Sequence, residues 1–144
     1  MEEAAFDPLR LENQLCFPLY ACSRQVVKKY RPFLDELDLT YTQYIAMMVL
    51  WAERKTSVRE LGERLYLDSG TLTPLMKSLE QKGYVIRYRS PEDERVLIVE
   101  LTEAGMRLRE RALAIPEKIA GCVHLKPEDA AALYRILYTL LEDA

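Results

Sequence analysis

The stretch LYLDSGTLTPLMKSLEQKGYVIRYRSPEDERVLIVEL, residues 65–101, predicts a helix followed by two strands. Asp68 or Ser69 can cap a helix over TLTPLMKSLEQKG, and Gly83 suits the left-handed position that ends it. The pattern then changes, because YVIRYR alternates its side chains between two faces and VLIVEL is rich in β-branched residues. Between them lies SPEDER, a charged turn with a proline. A helix running into a β-hairpin is therefore predicted.

Two capping boxes lie upstream of this helix. Thr40 with Gln43 and Ser57 with Glu60 each place a hydroxyl three residues before a side chain that can bond back to the cap. The second box begins a short helix, SVRELGERL, which the turn YLDSG separates from the helix that follows. Helix, turn, helix and hairpin in this order are the arrangement of a winged helix, here expected over 40–101.

A first helix is predicted over about 10–31 from its apolar spacing, ending before Pro32. Pro18 lies within that span. Its missing N–H would bend the helix beside Cys16, unless the regular helix begins only near residue 17.

Two helices are predicted after the hairpin, so the fold class is mainly α with a small β-hairpin wing (α+β) in one domain over 1–144. Thr102 caps the helix LTEAGMRLRERALAIPEK, and Pro127 begins the last helix. The last helix carries an apolar stripe that is wider than a small core needs, so we expect helices in 9–31 and 103–142 to form a subunit interface. The stripe consists of Leu133, Ile136, Leu137, Leu140 and Leu141.

Composition excludes several classes of protein. The chain has 144 residues, 49% of them apolar, which is enough for one core. No apolar run approaches the ~18 residues of a membrane span, and the acidic start MEEAAFDPLR is unlike a secretory signal, so we expect a cytoplasmic protein with no membrane partner. Three cysteines and a single histidine, His124, favour neither a disulfide framework nor a metal site, and no cofactor is expected.

The charge distribution is uneven although the net charge is −3. A basic patch lies within 24–31, and 54–95 holds nine Lys or Arg against seven Asp or Glu. Such regions on an acidic body suit a protein that meets phosphate with one face, although a solvated helix face would look similar. The patch consists of Arg24, Lys28, Lys29 and Arg31.

Four stretches carry a resemblance to a known family: LENQLCFPLY, LDLTYTQYIAMMVLW, GERLYLDSGTLTPLMKSLEQKG and EDERVLIVELTE. Over about 9–141 the chain resembles the MarR (multiple antibiotic resistance regulator) family of dimeric winged-helix transcription factors, and within it the organic hydroperoxide resistance regulators of the two-cysteine type. Pro18 departs from the pattern, which has an ordinary helix former there. The resemblance implies a redox-sensing homodimeric repressor that binds double-stranded DNA at a pseudo-palindromic operator and responds to organic hydroperoxides.

The residues indicate how such a protein would contact DNA. A recognition helix needs a small, polar first turn to approach base edges, and basic residues around it to position the phosphates. Arg95, at the hairpin tip, would enter the minor groove, unless it only forms a salt bridge with Asp93 or Glu92. The alternative interpretation of the polar first turn is that its residues only cap the helix and do not contact DNA. The expected DNA-binding residues are Asp68, Ser69, Gly70, Thr71, Thr73, Lys77, Arg87, Arg89, Asp93 and Arg95.

The resemblance also implies that hydroperoxide oxidises Cys16, with Tyr30 and Tyr41 hydrogen-bonding its sulfur across the dimer interface. Tyr20, four residues after Cys16, would be a further neighbour on a helix. The reactive species must be the thiolate. Apolar walls would favour organic peroxides by about 0.8 kcal/mol for each buried methylene. The expected walls are Leu15, Phe17, Ile45 and Met48.

Oxidised Cys16 can condense with a second thiol. Cys22 on the same helix would lie about 9 Å away along the axis and on the opposite side, beyond the ~7 Å limit for a disulfide within one chain. The resemblance assigns the resolving role to Cys122 of the other subunit, in a loop after Pro116. A small cellular thiol is the alternative.

Three competing interpretations follow from the same residues. Cys16 is inert if the tyrosines only pack in the interface. A thiol peroxidase would use Cys16 and Cys122 with turnover, but the sequence lacks the threonine-and-arginine surroundings that such enzymes use. A MarR-type repressor would instead bind a small aromatic ligand. We expect a regulator rather than an enzyme.

Overall fold

The computed structural model describes residues 5–143; residues 1–4 and 144, which include the start of the acidic N-terminus, lie outside the described residues. Two compact units are found, Met1–Leu113 and Ala114–Ala144, and the winged helix lies in the first. After a 3₁₀ turn at Leu11–Asn13, the elements in chain order are α1 Cys16–Asp35, α2 Tyr41–Glu53, β1 Lys55–Ser57, α3 Val58–Leu65, α4 Ser69–Gln81, β2 Val85–Arg89, β3 Leu97–Leu101, α5 Glu103–Ala112, α6 Ile115–Ala120 and α7 Pro127–Glu142.

The three strands form an antiparallel sheet in the order β1, β3, β2. Val99 of β3 is fully buried and lies opposite Thr56 of β1 and Arg87 of β2. The hairpin and the α+β winged-helix fold class are confirmed. β1 was not predicted, because three residues between two helices are too few to show an alternating pattern, and this strand exists only through its pairing with β3.

The predicted capping boxes differ in how completely they form. At α2 the box is complete: the Gln43 N–H donates to Thr40 Oγ1 at 3.2 Å, and the Thr40 N–H donates to Gln43 Oε1 at 2.9 Å. At α3 only half of it forms. Ser57 Oγ accepts from the Glu60 N–H at 3.0 Å, whereas the Glu60 carboxylate accepts from Thr56 Oγ1 at 2.9 Å.

The predicted recognition helix, α4, is capped by Asp68, the first of the two predicted candidates, with the Thr71 N–H donating to Asp68 Oδ1 at 2.8 Å. Ser69 is already the first helical residue. Gly83 has φ 82°, the left-handed conformation expected after the helix end. Thr102 caps α5 as predicted.

The start of α1 settles the question raised by Pro18. The chain forms a 3₁₀ turn before Cys16, and the regular helix begins at Cys16. Pro18 therefore lies in the first turn, where its missing N–H has no helical partner to lose, and it does not bend the helix.

The end of α1 differs from the prediction, because the helix continues through Pro32 to Asp35. Interrupting a helix with proline costs roughly 3 kcal/mol. Beyond the proline, Leu34 and Leu37 are 2% and 4% exposed, and burial of such side chains contributes about 1.5–3 kcal/mol each. Packing of the last turn therefore outweighs the lost hydrogen bond.

The core of the first unit lies between the helices and the inner face of the sheet. Gly62 of α3 lets α4 approach closely, since a Cβ there would lie 2.5 Å from Leu72 Cδ1 and 2.9 Å from the Leu67 carbonyl oxygen. The buried apolar residues are Leu34, Leu37, Leu39, Tyr44, Ala46, Met47, Val49, Leu50, Leu61, Leu72, Leu75, Met76, Leu79, Val85, Val99, Leu108 and Ala112.

The second unit contains α6 and α7. The single helix predicted from Thr102 to residue 118 is in fact two, because α5 ends at Ala112 and Pro116 occupies the first turn of α6. Pro127 begins α7 as predicted. Leu133, Ile136 and Leu140 of its apolar stripe are exposed in the single chain. No helix within residues 5–143 is long and apolar enough to cross a bilayer.

Candidate sensor and DNA-binding sites

Cys16 is the first residue of α1 and is exposed. The positive end of the helix dipole favours an anionic group at such a position. Tyr30 lies fourteen residues further along the same helix, which corresponds to about 21 Å at 1.5 Å per residue. Within one subunit, therefore, the structure does not bring the sulfur and this phenol together.

The predicted phenols do meet each other. The rings of Tyr30 and Tyr41 are 5.0 Å apart, edge to face, and the ring of Tyr44 lies 5.8 Å from the first and 6.3 Å from the second. Burial raises the pKa of all three hydroxyls, and the neighbouring phenols raise the pKa of Tyr30 and Tyr44 further. These tyrosines remain protonated and so keep a hydrogen to donate. Within residues 5–143, no hydrogen bond uses the hydroxyls of Tyr30 and Tyr41.

Tyr20 does not hydrogen-bond Cys16 within the described chain. Its hydroxyl accepts from Arg24 Nη1 at 3.2 Å, and the Arg24 guanidinium carbon lies 5.6 Å from the centre of the Tyr20 ring. The expected apolar walls are also open in one subunit. Leu15 is 88% exposed and Phe17 42%. Met48 is likewise exposed, so a second surface is needed to enclose an alkyl group.

The other two cysteines occupy different elements. Cys22 lies on α1 with Cys16, six residues further along the helix, which disfavours a disulfide between them within one chain. Cys122 is half-buried in the turn that follows α6, where its N–H donates to the Ile119 carbonyl at 2.9 Å. The loop predicted after Pro116 is therefore mostly helix, and only its end is a turn. Within residues 5–143, no group of three His, Cys, Asp or Glu residues is arranged to hold a metal.

The first turn of α4 presents small polar side chains to solvent. Ser69, Gly70 and Thr71 are exposed at its start, beside the Asp68 carboxylate, which the Thr71 hydrogen bond occupies. Thr73 is exposed as well, but its hydroxyl donates back to the Ser69 carbonyl at 2.9 Å. The Thr71 side chain also interacts with the Asp68 carboxylate. The turn is thus small enough to approach base edges, with Ser69 the side chain least committed within the protein.

Pro74 is the sixth residue of α4 rather than part of its first turn. Its ring replaces the N–H that would bond the carbonyl of Gly70, so that carbonyl has no helical partner. Gly70 is itself exposed and belongs to the turn that carries the predicted DNA contacts.

The hairpin tip holds Arg95 in a defined orientation. Asp93 accepts from Arg95 Nε at 3.0 Å and from Nη2 at 3.1 Å, and the hydrogen bonds lower the pKa of Asp93. The salt bridge between Arg95 and Asp93, which the sequence offered as an alternative to a groove contact, is therefore present. The Arg95 side chain is nevertheless 90% exposed, and such pairs contribute about 0–1 kcal/mol, so a phosphate or groove can compete for the guanidinium.

The three other predicted basic contacts are not equivalent. Lys77 and Arg89 are exposed. Arg87 is turned toward α4, where Glu80 accepts from Arg87 Nη2 at 3.2 Å and from its backbone N–H at 3.1 Å. Its Nε atom is buried and has no hydrogen-bond partner within residues 5–143. Arg87 thus connects β2 to α4, and this geometry is less favourable to a phosphate contact than that of the other two.

Comparison with known proteins agrees with this arrangement. The family model for the transcriptional regulator SarA/Rot matches residues 28–111. The organic hydroperoxide resistance transcriptional regulator of Bacillus subtilis (strain 168) is 51% identical over 140 residues, which covers 97% of this chain and 95% of the relative. The chain belongs to the MarR family of winged-helix transcriptional regulators. Within that family it falls in the organic hydroperoxide resistance branch, whose members are regulators rather than enzymes.

Two solved MarR-family structures are similar over almost the whole chain. Reduced AbfR bound to DNA has a TM-score of 0.77 at 36% identity and covers 94% of each chain. Disulfide-formed AbfR has a TM-score of 0.65 at 38% identity, covering 92% of this chain and 93% of its own. AbfR is a protein of Staphylococcus epidermidis.

Two residues of this MarR-family chain were missed by the sequence analysis. Tyr44 completes the phenol cluster, but its spacing from Tyr41 was indistinguishable from that of an ordinary core residue. Glu80 holds Arg87, a contact between residues seven apart in different elements that no local pattern reveals. The one signal for this contact in the sequence was a basic residue on the strand that follows a helix with an acidic residue near its end.

Proposed function

We propose that this MarR-family regulator is a homodimeric repressor that leaves its pseudo-palindromic operator when an organic hydroperoxide oxidises Cys16. One observation carries the proposal: an exposed thiol begins α1, and two half-buried phenols with unused hydroxyls lie at its other end. A second subunit with its α1 antiparallel to the first would place the thiol of each beside the phenols of the other. The relation of the chain to a hydroperoxide resistance regulator supports this pairing.

The proposed oxidation uses the thiolate of Cys16 as the nucleophile. An S–O bond forms as the O–O bond of the peroxide breaks, and the departing alkoxide takes a proton and leaves as an alcohol. The sulfur loses two electrons and becomes a sulfenic acid, and the peroxide is reduced. Protonated Tyr30 and Tyr41 would donate hydrogen bonds to the sulfur before the reaction, and the new oxygen would disturb them.

The second proposed step joins this sulfur to Cys122 of the partner subunit, as in the two-cysteine type of sensor. An S–S bond forms, and the sulfenic oxygen leaves as water. The solved disulfide form of AbfR supports disulfide chemistry in a relative. A small cellular thiol would give a mixed disulfide in place of this bond.

The proposed DNA contacts divide by role. The exposed first turn of α4 would approach base edges in the major groove, and Arg95, oriented by Asp93, would enter the minor groove. Lys77 and Arg89 would contact phosphates and set position rather than sequence preference. AbfR, a relative of similar fold, was solved bound to DNA, which supports this use of the winged helix.

The test is release of promoter DNA by cumene hydroperoxide, measured by fluorescence anisotropy. Wild-type protein should release the DNA, and C16S should bind it with unchanged affinity and retain it under peroxide. Release of C16S to the same extent as wild type would contradict the proposal. Consumption of many equivalents of peroxide per thiol would indicate a peroxidase instead, and release of C16S by an aromatic compound would indicate a ligand-binding repressor.

The resolving thiol is tested on a non-reducing gel after peroxide treatment. Wild-type protein and C22S should form a covalent dimer, whereas C122S should remain monomeric on the gel with its Cys16 as a sulfenic acid or capped by added thiol. A covalent dimer of C122S would exclude Cys122 from this role.

A further inference from the structure

Apart from Tyr44, whose side chain is mainly aromatic, Gln43 is the only polar side chain that is buried among residues 5–143, with 6% exposure. Both the oxygen and the nitrogen of its amide are hydrogen-bonded. Oε1 accepts from the Thr40 N–H at 2.9 Å, which closes the capping box of α2, and Nε2 donates to Ser78 Oγ on α4 at 2.8 Å. One amide therefore holds the first turn of α2 and the second half of α4 together.

Lys82 extends this connection to the turn between α1 and α2. Its Nζ donates to Gln43 Oε1 at 3.1 Å and to the backbone carbonyl of Asp38, and lies 3.6 Å from Asp38 Oδ2. Asp38 has φ 53°, a left-handed conformation that is unfavourable for a residue other than glycine. The α1–α2 turn is thus fixed to the C-terminal end of the recognition helix.

The position of this network links the two candidate sites. Tyr41 is the first residue of α2, directly after Thr40, so its backbone is part of the capping box that Gln43 closes. Ser78 and the C-cap residue Lys82 lie toward the opposite end of α4 from Ser69, nine and thirteen residues, or about 14 and 20 Å, from the DNA-contacting turn. Because α4 is a rigid helix, a tilt imposed at its C-terminal end also displaces its N-terminal turn.

We propose that Gln43 is a positioning residue that couples the phenol cluster to the recognition helix through Ser78 and Lys82. The inference rests on the proposed function, because it needs oxidation at Cys16 to disturb Tyr41. If the first turn of α2 shifts, the Gln43 amide must move with it, because Gln43 Oε1 accepts hydrogen bonds from both Thr40 and Lys82. Either α4 then moves as well, or the hydrogen bond between Gln43 and Ser78 breaks.

The test compares operator affinity before and after oxidation by cumene hydroperoxide in S78A/K82M, which removes both links and leaves the capping box intact. We expect the reduced variant to bind the operator within about threefold of wild type. The ratio of oxidised to reduced Kd should fall about tenfold, in the usual range of coupling between sites. The rate of Cys16 oxidation, followed by mass spectrometry, should not change. S78T, which keeps the hydroxyl, should retain the wild-type ratio.

S57A is the matched control, since it removes a serine cap in the same lobe without touching Gln43. It should lower Tm and leave the Kd ratio unchanged. A ratio in S78A/K82M equal to that of wild type, with Tm lowered as in S57A, would overturn the inference and leave the network merely structural. If the double variant does not fold, S78A alone decides by the same ratio. Failure of wild-type protein to release DNA would contradict the proposed function instead.

Discussion

Tyr30 and Tyr41 place two hydroxyl groups on a half-buried surface where neither has a hydrogen-bond partner within the described part of its own subunit. Burial raises their pKa, so both are donors over the whole physiological range. A partner that accepts hydrogen bonds and carries negative charge is what such a surface binds best, and a thiolate meets both conditions. We therefore expect the phenols to matter more for the rate of Cys16 oxidation than for folding.

The substitution Tyr30→Phe tests the effect of a single phenol hydroxyl on the rate of oxidation. The ring contact with Tyr41 is kept and the hydroxyl is lost, so Tm should change little, whereas oxidation of Cys16 by cumene hydroperoxide should slow by roughly tenfold, as for loss of one hydrogen bond to a charged group. Stopped-flow thiol consumption measures the rate. Tyr44→Phe is the control, because Tyr44 is only 3% exposed and cannot reach another subunit. An equal effect of both substitutions would contradict the role of Tyr30.

Arg95→Ala tests the wing in the same way. Because the guanidinium is exposed and only weakly held by Asp93, its removal should not alter Tm. Operator affinity should fall about tenfold, with a smaller dependence on salt concentration. Arg107→Ala, which removes an exposed arginine paired within α5, should leave the affinity unchanged. Anisotropy titrations at several salt concentrations distinguish the two variants, and unchanged affinity of Arg95→Ala would exclude the groove contact.

Among the elements, α4 depends on its first turn both for stability and for access to DNA. The Asp68 carboxylate caps that turn, and the hydrogen bond from the Thr71 N–H holds its pKa below the ordinary value. A lowered pKa in the folded state means that the carboxylate stabilises the helix above its unfolded pKa, about 3.9. That contribution is lost as the pH falls through the lower, folded value.

Asp68→Asn should therefore change how Tm depends on pH. Asparagine is as good a cap but does not titrate in this range. The stability of wild-type protein relative to the variant should begin to fall below about pH 5 and continue to fall as the pH drops through the lowered pKa of Asp68. Thermal melts at pH 7, 5, 4 and 3 measure the difference in Tm between the two proteins. A constant difference over this range would show that the cap carboxylate makes no pH-dependent contribution.

The elements also show what sequence alone can supply. Caps at Thr40, Ser57 and Thr102 and the alternation of β2 are local patterns, and each was found at the predicted place. The continuation of α1 through Pro32 was missed, because it depends on burial of residues that follow the proline. The strand β1 was missed because three residues show no alternating pattern and the strand it pairs with lies in a distant segment.

The features of the candidate sites also divide into those that local sequence patterns predict and those that depend on tertiary contacts. Exposure of Ser69, Thr71 and Arg95 follows from a polar helix start and a charged turn, both of which are visible in the sequence. The attachment of Arg87 to Glu80 and the shared amide of Gln43 are tertiary contacts. No spacing rule encodes them, because the partners belong to elements whose relative placement is set by the whole core.

For the whole molecule, the apolar stripe of α7 is the feature that one subunit leaves unexplained. Leu133, Ile136 and Leu140 are each 46–53% exposed, which is unusual for a run of large apolar side chains on one helix face. A homodimer that buries this face would also hold two winged helices at a fixed spacing. Binding of a pseudo-palindromic operator needs both at once.

Ile136→Asp combined with Leu140→Asp should convert the dimer into a monomer on light scattering. Operator affinity should then fall by about a hundredfold or more, because the second half-site is no longer bound intramolecularly. Arg135→Asp, on the opposite side of α7 by helical spacing, should keep both the dimer and the affinity. A double variant that remains dimeric would show that α7 is not the interface.

The base of the wing is held from two sides. A Cβ on Gly105 would lie 2.3 Å from the Tyr84 carbonyl oxygen, so α5 begins in direct backbone contact with the chain entering β2, and the Trp51 indole N–H donates to the Gly105 carbonyl at 2.8 Å. These contacts oppose a hinge motion where the hairpin joins the body. We therefore expect the strands to flex along their length when the protein adjusts to a narrower or wider groove, with the segment around Arg95 following the DNA.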